Sequence, residues 1–294
     1  MAVSLYVKRL AEVRALMRKR KLDALIIPSS DPHLGEYVPD HWRVIRWLTG
    51  FTGSAGNVVI TRTFAGLWTD SRYFIQAEEQ LAGSGFELVR LKVPHTPEHI
   101  DWLREKVRKG WKVGVDGRLI SAVIMKLLLS TMKDSGARLD MRADLITPIW
   151  KDRPALPADK AFELDVKYAG LTRMQKLNRV REVMRAIGAN YQLLTATDDI
   201  MWLLNLRGND VKYCPLLISF AVLSHEQVFF FADEEKIPFA MKASLDSDGV
   251  VLLPYDAVNS VLSHLDDGSV LLLSPHATPA ALYRAVSRRV KIVE

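Results

Sequence analysis

The sequence predicts an α/β protein made of two tandem domains, each a mixed β-sheet flanked by helices. Three observations carry that expectation. Apolar residues in the first half alternate between helical and strand spacing, the pattern of layered α/β folds. The charged stretch "TPIWKDRPALPADK" then breaks the alternation with Pro148, Pro154 and Pro157, as a linker does. After it, the opening order of elements recurs. The expected domains are residues 1–155 and 156–294.

The elements of the first half follow in order. "SLYVKRLAEVRALMRKRK" is an amphipathic helix whose apolar side holds Leu5, Leu10, Val13, Leu16 and Met17, and whose basic end meets the negative end of the helix dipole. "LDALIIPSS" is a buried strand stopped by Pro28, and "HWRVIRWL" places Trp42, Ile45, Trp47 and Leu48 at helical spacing. After the turn "GFTGSAG", strands are expected at 57–61 and 65–69, then a helix from Ser71 to Leu81 closed by "AGSG". "FELVRLKV" reads as a strand. "TPEHIDWLREKVRKG" reads as a helix with Thr96 as N-cap and Pro97 at its first position. "KVGVD" is a further strand and 121–135 a further helix.

The second half echoes the first. "RLAEVRALMRKRKLDALIIPSSD" returns as "RVREVMRAIGANYQLLTATDD", and "RWLTG" as "MWLLNLRG". "NVVITRTFAGLWTDSRYF" returns as "PLLISFAVLSHEQVFFFADEEKIP", two strands reaching an acid at Asp70 or Asp233. The offset of about 160 to 170 residues is too long for a solenoid repeat. Two copies of one domain explain it.

Composition excludes several classes. At 294 residues, with 49% apolar and 25% charged residues, the chain suits an ordinary globular protein of two domains. No apolar run approaches the ~20 residues of a membrane span, and the first 28 residues lack the apolar core and cleavage site of a signal peptide. The single cysteine, Cys214, forms no internal disulfide and is expected to be a buried, inert thiol in a reducing cytoplasm. Residues 1–157 hold 25 Lys and Arg against 17 Asp and Glu, and the remainder 15 against 17. No interleaving of basic and aromatic residues accompanies that excess, so neither nucleic acid nor a membrane is an expected partner.

The glycines of "RWLTGFTGSAGN" invite a phosphate-binding or nucleophile reading, and fail both. A dinucleotide fingerprint needs strand, glycine loop, helix; here the order is helix, turn, strand. No Gly-Lys-Ser/Thr follows, and Thr52 stands where a nucleophile elbow around Ser54 needs glycine. Gly50, Gly53 and Gly56 therefore read as a turn needing positive φ and close backbone approach. His95 and His99, four apart, lack the His-Glu-x-x-His order of zinc peptidases; these and the scattered His33, His41, His225, His264 and His276 read as surface or turn residues. Adjacent acids such as Asp198–Asp199 and Asp266–Asp267 read as solvated caps and faces.

Arg72 is the exception. In "LWTDSRYFIQAEEQL", Asp70 or Thr69 can cap the following helix, which puts Arg72 in a first turn whose dipole disfavours a cation by about 0.3–1 kcal/mol. A salt bridge to Asp70 explains it, and so does presentation of a guanidinium to a carbonyl or carboxylate.

In order along the chain, "PSSDPHLGEYVP", "GFTGSAG", "LWTDSRYFIQAEEQL", "VGVD", "IWKDRP" and "NLRGNDVKYCPLLISFA" closely resemble the long cytosolic aminopeptidase P family, the Xaa-Pro aminopeptidases. The resemblance implies two creatinase-like N-terminal domains with a ribonuclease H-like motif. It further implies a catalytic pita-bread domain with two divalent metals, usually manganese, in a cytoplasmic homodimer that removes the residue preceding proline from peptides. No metal ligand or catalytic residue carries over, because the sequence ends at "SRRVKIVE", before that domain is expected. Arg72 carries over as the substrate-contacting arginine of "WTD-x-RYF", with Asp70, Gly53 and Gly56 in support. The expected function is thus the non-catalytic part of a metallo-exopeptidase, shaping substrate access and dimer contacts. The alternative is a catalytically silent protein-binding module, as creatinase-like domains are in a histone chaperone.

Overall fold

The computed structural model describes residues 4–294; Met1–Val3, at the head of the stretch tested for a signal peptide, lie outside them. Contacts divide the chain into two compact units. The first comprises the residues up to Asp31 together with Asp40–Ala155; the second comprises Pro32–Pro39 together with Leu156–Glu294.

In the first unit α1 (Leu5–Lys19) leads into β1 (Ala24–Pro28), α2 (Val44–Thr49), β2 (Asn57–Thr61) and β3 (Ala65–Thr69). Then come α3 (Phe74–Leu81), β4 (Glu87–Arg90), α4 (Glu98–Lys106), β5 (Lys112–Val115), α5 (Ala122–Ser135) and β6 (Arg138–Asp140). The sheet order is β4-β3-β2-β1-β5-β6. The central β1, β2 and β3 are antiparallel, and the outer pairs β3–β4, β1–β5 and β5–β6 are parallel. Buried Leu25, Ile27, Val58 and Ile60 pack with Leu10, Val13 and Met17 of α1 and with Trp47 and Leu48 of α2. Alternate residues Ile26 and Val59, opposite each other in register and equally buried, face the other way. Such double-sided burial is why these strands read as continuous apolar runs.

The second unit contains β7 (Phe162–Glu163), α6 (Val166–Ala169), α7 (Arg173–Ala186), β8 (Tyr191–Leu194), α8 (Thr197–Leu204), β9 (Leu206–Arg207), β10 (Phe220–Leu223) and β11 (Val228–Ala232). It continues with α9 (Phe239–Ser247), β12 (Val250–Pro254), α10 (Val258–Ser263), β13 (Val270–Leu272), α11 (Ala280–Ala285) and β14 (Lys291–Val293). Its main sheet runs β12-β11-β10-β8-β13-β14. Again the three central strands are antiparallel and the outer pairs parallel. Each strand of the first sheet thus has a counterpart in the same place and sense, and the echo in the sequence is a repeat of topology. Among the described residues, only the small β7–β9 ribbon stands apart.

Several local expectations need correction. The strand expected across "FELVRLKV" is confined to β4, whose two end residues, Glu87 and Arg90, are exposed. Thr96 does not cap α4: the helix starts at Glu98 after Pro97, and the Thr96 hydroxyl donates to the Val93 carbonyl. Glu98 reaches back instead, accepting from the backbone N–H groups of Lys92 and Val93. The helix expected from Ser71 opens as a tighter 3₁₀ turn, Ser71–Tyr73, before α3.

Candidate functional site

Arg72 and Asp70 occupy the exit of β3. Thr69 ends the strand and Asp70 stays extended, so its carboxylate turns back and accepts the Arg72 backbone N–H at 3.1 Å, capping the 3₁₀ turn. The Arg72 guanidinium then closes a fork on the same group, Nε to Oδ1 and Nη2 to Oδ2, both at 2.8 Å. Arg72 also lies over its neighbour Tyr73, 5.2 Å from the ring centroid. The Asp70 side chain is 4% exposed and that of Arg72 56%. A buried anion therefore holds a largely solvent-facing cation in one orientation. Hydrogen bonds from Arg72 are the main reason the Asp70 carboxyl lies below its ordinary range; burial opposes them, while the charges of Arg72 and His95 add to them. Because α3 begins only at Phe74, with Tyr73 as its cap, Arg72 lies outside that helix's first turn. The dipole conflict expected from the sequence is relieved by the 3₁₀ turn Ser71–Tyr73 and one carboxylate.

The glycine turn braces this corner from below. Only Gly50 needs the left-handed region, with φ +86° at the end of α2. Gly53 and Gly56 have ordinary φ and are glycine for space, which corrects the expectation of positive φ through the turn. A Cβ on Gly53 would lie 2.2 Å from the Phe51 ring and 2.9 Å from that of Tyr73; one on Gly56 would lie 3.0 Å from Leu67 and 3.2 Å from the Trp68 carbonyl oxygen. Ser54 and Tyr73 share a hydroxyl–hydroxyl bond of 2.7 Å. The Thr52 backbone N–H donates to Gln80 at 2.8 Å, and the Thr52 hydroxyl accepts from Gln76 and Gln80. The turn is thereby tied to the residue beside Arg72 and to the helix after it. Sequence reasoning missed this polar staple; the i, i+4 spacing of Gln76 and Gln80 was its visible trace.

The other candidates gather no chemistry. His33 and His99 are buried, not superficial. His33 bonds the Thr195 carbonyl and the Tyr255 hydroxyl and lies 4.3 Å from the Phe220 ring, a packed anchor for the segment 32–39 within the second unit. His99 lies near Trp68 with its Nδ1 unpartnered, and burial pushes its pKa down to about 4. Cys214 is half-buried instead of fully buried. Among the described residues, no three His, Cys, Asp or Glu side chains are grouped so as to hold a metal ion, and no helix is long and apolar enough to cross a membrane. A pair of divalent metals has no ligand set to fit among the described residues.

Two profiles described as the creatinase/prolidase N-terminal domain match the chain, one over residues 9–141 and one over 152–294. The chain belongs to this family and carries its domain twice. It is 35% identical over 290 residues to Xaa-Pro aminopeptidase 1 of Dictyostelium discoideum, a match covering 95% of this chain and 46% of that protein. It is 34% identical over 284 residues to aminopeptidase P2 of Arabidopsis thaliana, covering 94% of this chain and 39% of that protein. Among solved structures, the X-prolyl aminopeptidase of Caenorhabditis elegans, a cytosolic enzyme with a di-nuclear active site, superposes with a TM-score of 0.92 at 29% identity. That match takes in 98% of this chain and 50% of the other. The chain spans less than half the length of the curated relatives it matches.

Proposed function

We propose that this chain is the non-catalytic, amino-terminal part of a Xaa-Pro aminopeptidase, with Arg72 contacting the peptide substrate from the first domain. The observation that carries the reading is the match along 95% of this chain to an enzyme of that name, of which it occupies 46%. Two divalent metals, manganese by the family resemblance, would then be held by residues outside this chain, which would also supply the base. A cytoplasmic homodimer acting on proline-containing peptides fits the same reading.

The role of this chain is positional. A peptide must be held in register for attack at one bond, and a forked guanidinium on a rigid base can hold a carbonyl or carboxylate with little loss of freedom. Asp70 and the glycine turn supply that base. Proteolysis assays test the assignment: purified residues 1–294 with manganese should release no amino acid from a Xaa-Pro-Xaa peptide, whereas the complete gene product should release the first residue. Turnover by the isolated chain, or none by the complete product, would overturn it.

A further inference from the structure

The second unit has an open cleft of about 470 Å³ at one end of its sheet. Its walls come from the start of β8 (Tyr191), the β10–β11 turn (His225, Glu226) and the turn before β13 (Asp266, Asp267, Ser269). Among the described residues, no Lys or Arg lines it. Ser269 is 8% exposed and its hydroxyl has no hydrogen-bond partner, and His225 Nδ1 is likewise buried and unpartnered. Unpartnered polar atoms buried in residues that line a cleft are what a polar ligand can satisfy.

The first unit shows what kind of ligand. Its same corner can be matched residue by residue through the backbone. Asp23 donates its N–H to Lys112 O at 2.8 Å and accepts Lys112 N–H on its carboxylate at 2.9 Å; Asn190 does both with Val270, at 2.9 and 2.8 Å. Thr61 and Ser224 open the matching tight turns, donating to the carbonyls of Phe64 and Gln227, so His225 stands where the first unit has Arg62. Trp111 and Ser269 donate to the residues three before them, Arg108 and Asp266. Asp266 and Asp267 therefore stand where the first unit has Arg108 and Lys109, and Ser269 where it has Trp111. In the first unit the corner is closed by its own cation, Arg62, bonded to Asp23 at 2.9 Å. In the second that cation is gone, the bulky indole is reduced to a hydroxymethyl group, and carboxylates replace the two bases.

We infer that this cleft binds a primary ammonium group, from the N-terminus of a peptide or a lysine side chain. An ammonium carries three donors and no acceptor. The lining residues offer carboxylates at Glu226, Asp266 and Asp267, the Ser269 hydroxyl and His225 Nδ1. Asp266 is set in place by the Tyr191 hydroxyl at 2.6 Å. Asp267 pairs with Arg289 at 2.7 Å, but both partners are more than half exposed, and such a pair opposes a ligand only weakly. A metal ion is the poorer occupant, because the described acids and histidines make no coordinating group of three. The site is independent of the peptidase reading above.

Calorimetric titration of the whole chain tests the inference, with N-acetyl-lysine methylamide for the side-chain source and alanine methylamide for the N-terminal source. N-acetyl-norleucine methylamide and calcium chloride serve as controls. At least one ammonium compound should bind and the norleucine compound should not; which one binds names the source. Glu226→Gln, at an exposed position, and Ser269→Ala should each weaken binding by roughly tenfold or more while melting temperature stays unchanged. Absence of binding by both ammonium compounds at millimolar concentration overturns the inference. So does equal binding by both variants, or calcium binding that Ser269→Ala abolishes.

Discussion

Arg72 and Asp70 form a two-point fork, 2.8 Å on each side, in which the carboxylate is buried and the guanidinium faces outward. On the proposed reading the arrangement serves two ends that mutation can separate. As a structural pair it caps the exit of β3; as a functional one it aims a cation. In the complete enzyme Arg72→Ala should lower kcat/KM by roughly ten- to a few-hundred-fold, because a charged hydrogen bond contributes about 1.5–3 kcal/mol. Arg72→Lys keeps charge without the fork and should recover only part of the loss. Normal kcat/KM with a depressed melting temperature in Arg72→Ala would leave only the structural end.

Acidification should weaken the same corner at a defined point. The folded Asp70 carboxyl titrates below its ordinary 3.8, so its contribution is complete above that value and is lost as pH falls through the lower, folded one. Asp70→Asn should remove this step from the pH profile of unfolding and lower stability at neutral pH, where the carboxylate's contribution is complete.

His99 should govern a different window. Its folded pKa of about 4 lies below the ordinary 6.5, so between the two the unfolded chain takes up a proton that the folded chain refuses. Stability therefore falls as pH drops from 6.5 to 4, by up to about 3 kcal/mol from this residue. His99→Leu, which also removes the unpartnered Nδ1, should flatten that part of a pH series of urea unfolding curves.

Gly53→Ala should destabilise the first unit by about 1–3 kcal/mol, the usual cost of forcing atoms into packed space. The added carbon has to displace two rings, those of Phe51 and Tyr73. Gly35→Ala is the control, since its Cβ would meet nothing nearer than 3.7 Å and its φ is ordinary. Equal unfolding midpoints for the two variants would contradict the packing account.

Lys236 and Asp210 form an ion pair with both side chains almost wholly buried, and burial pushes the Asp210 carboxyl upward despite the lysine beside it. Asp210 also accepts the Ile218 N–H, so the pair ties down the loop from 208 to 219. Lys236→Met strands a buried acid and should cost about 3–5 kcal/mol. The double variant with Asp210→Leu should recover much of that, as measured by denaturant unfolding.

The sequence by itself determined the architecture. Val58, Ile60, Leu25 and Ile27 announce strands because both faces of the sheet are buried, and the strand spacing of the second half repeats theirs. Helix α5 was equally readable, since Ser121 caps it and Gly136 ends it. Strands β6, β7, β9, β12, β13 and β14 were not legible; β6 and β14, at three residues each, are edge pairings too short to carry periodicity. Arg72 stood out because it violated a local rule.

Only tertiary structure decided how that violation resolves and which residues share a corner. No local signal says that Gly53 is glycine because Tyr73 lies against it, twenty residues on. None says that Pro32–Pro39 packs with residues beyond 155, with His33 against Thr195 and Tyr255. The reversal of charge between the corners of Arg62 and His225 is likewise invisible until backbone hydrogen bonds align the two units. Secondary structure follows from periodicities within a few residues, which the sequence displays. Close approach, burial of a lone histidine and the facing of charges depend on contacts far apart in the chain, and those exist only once the sheets have formed.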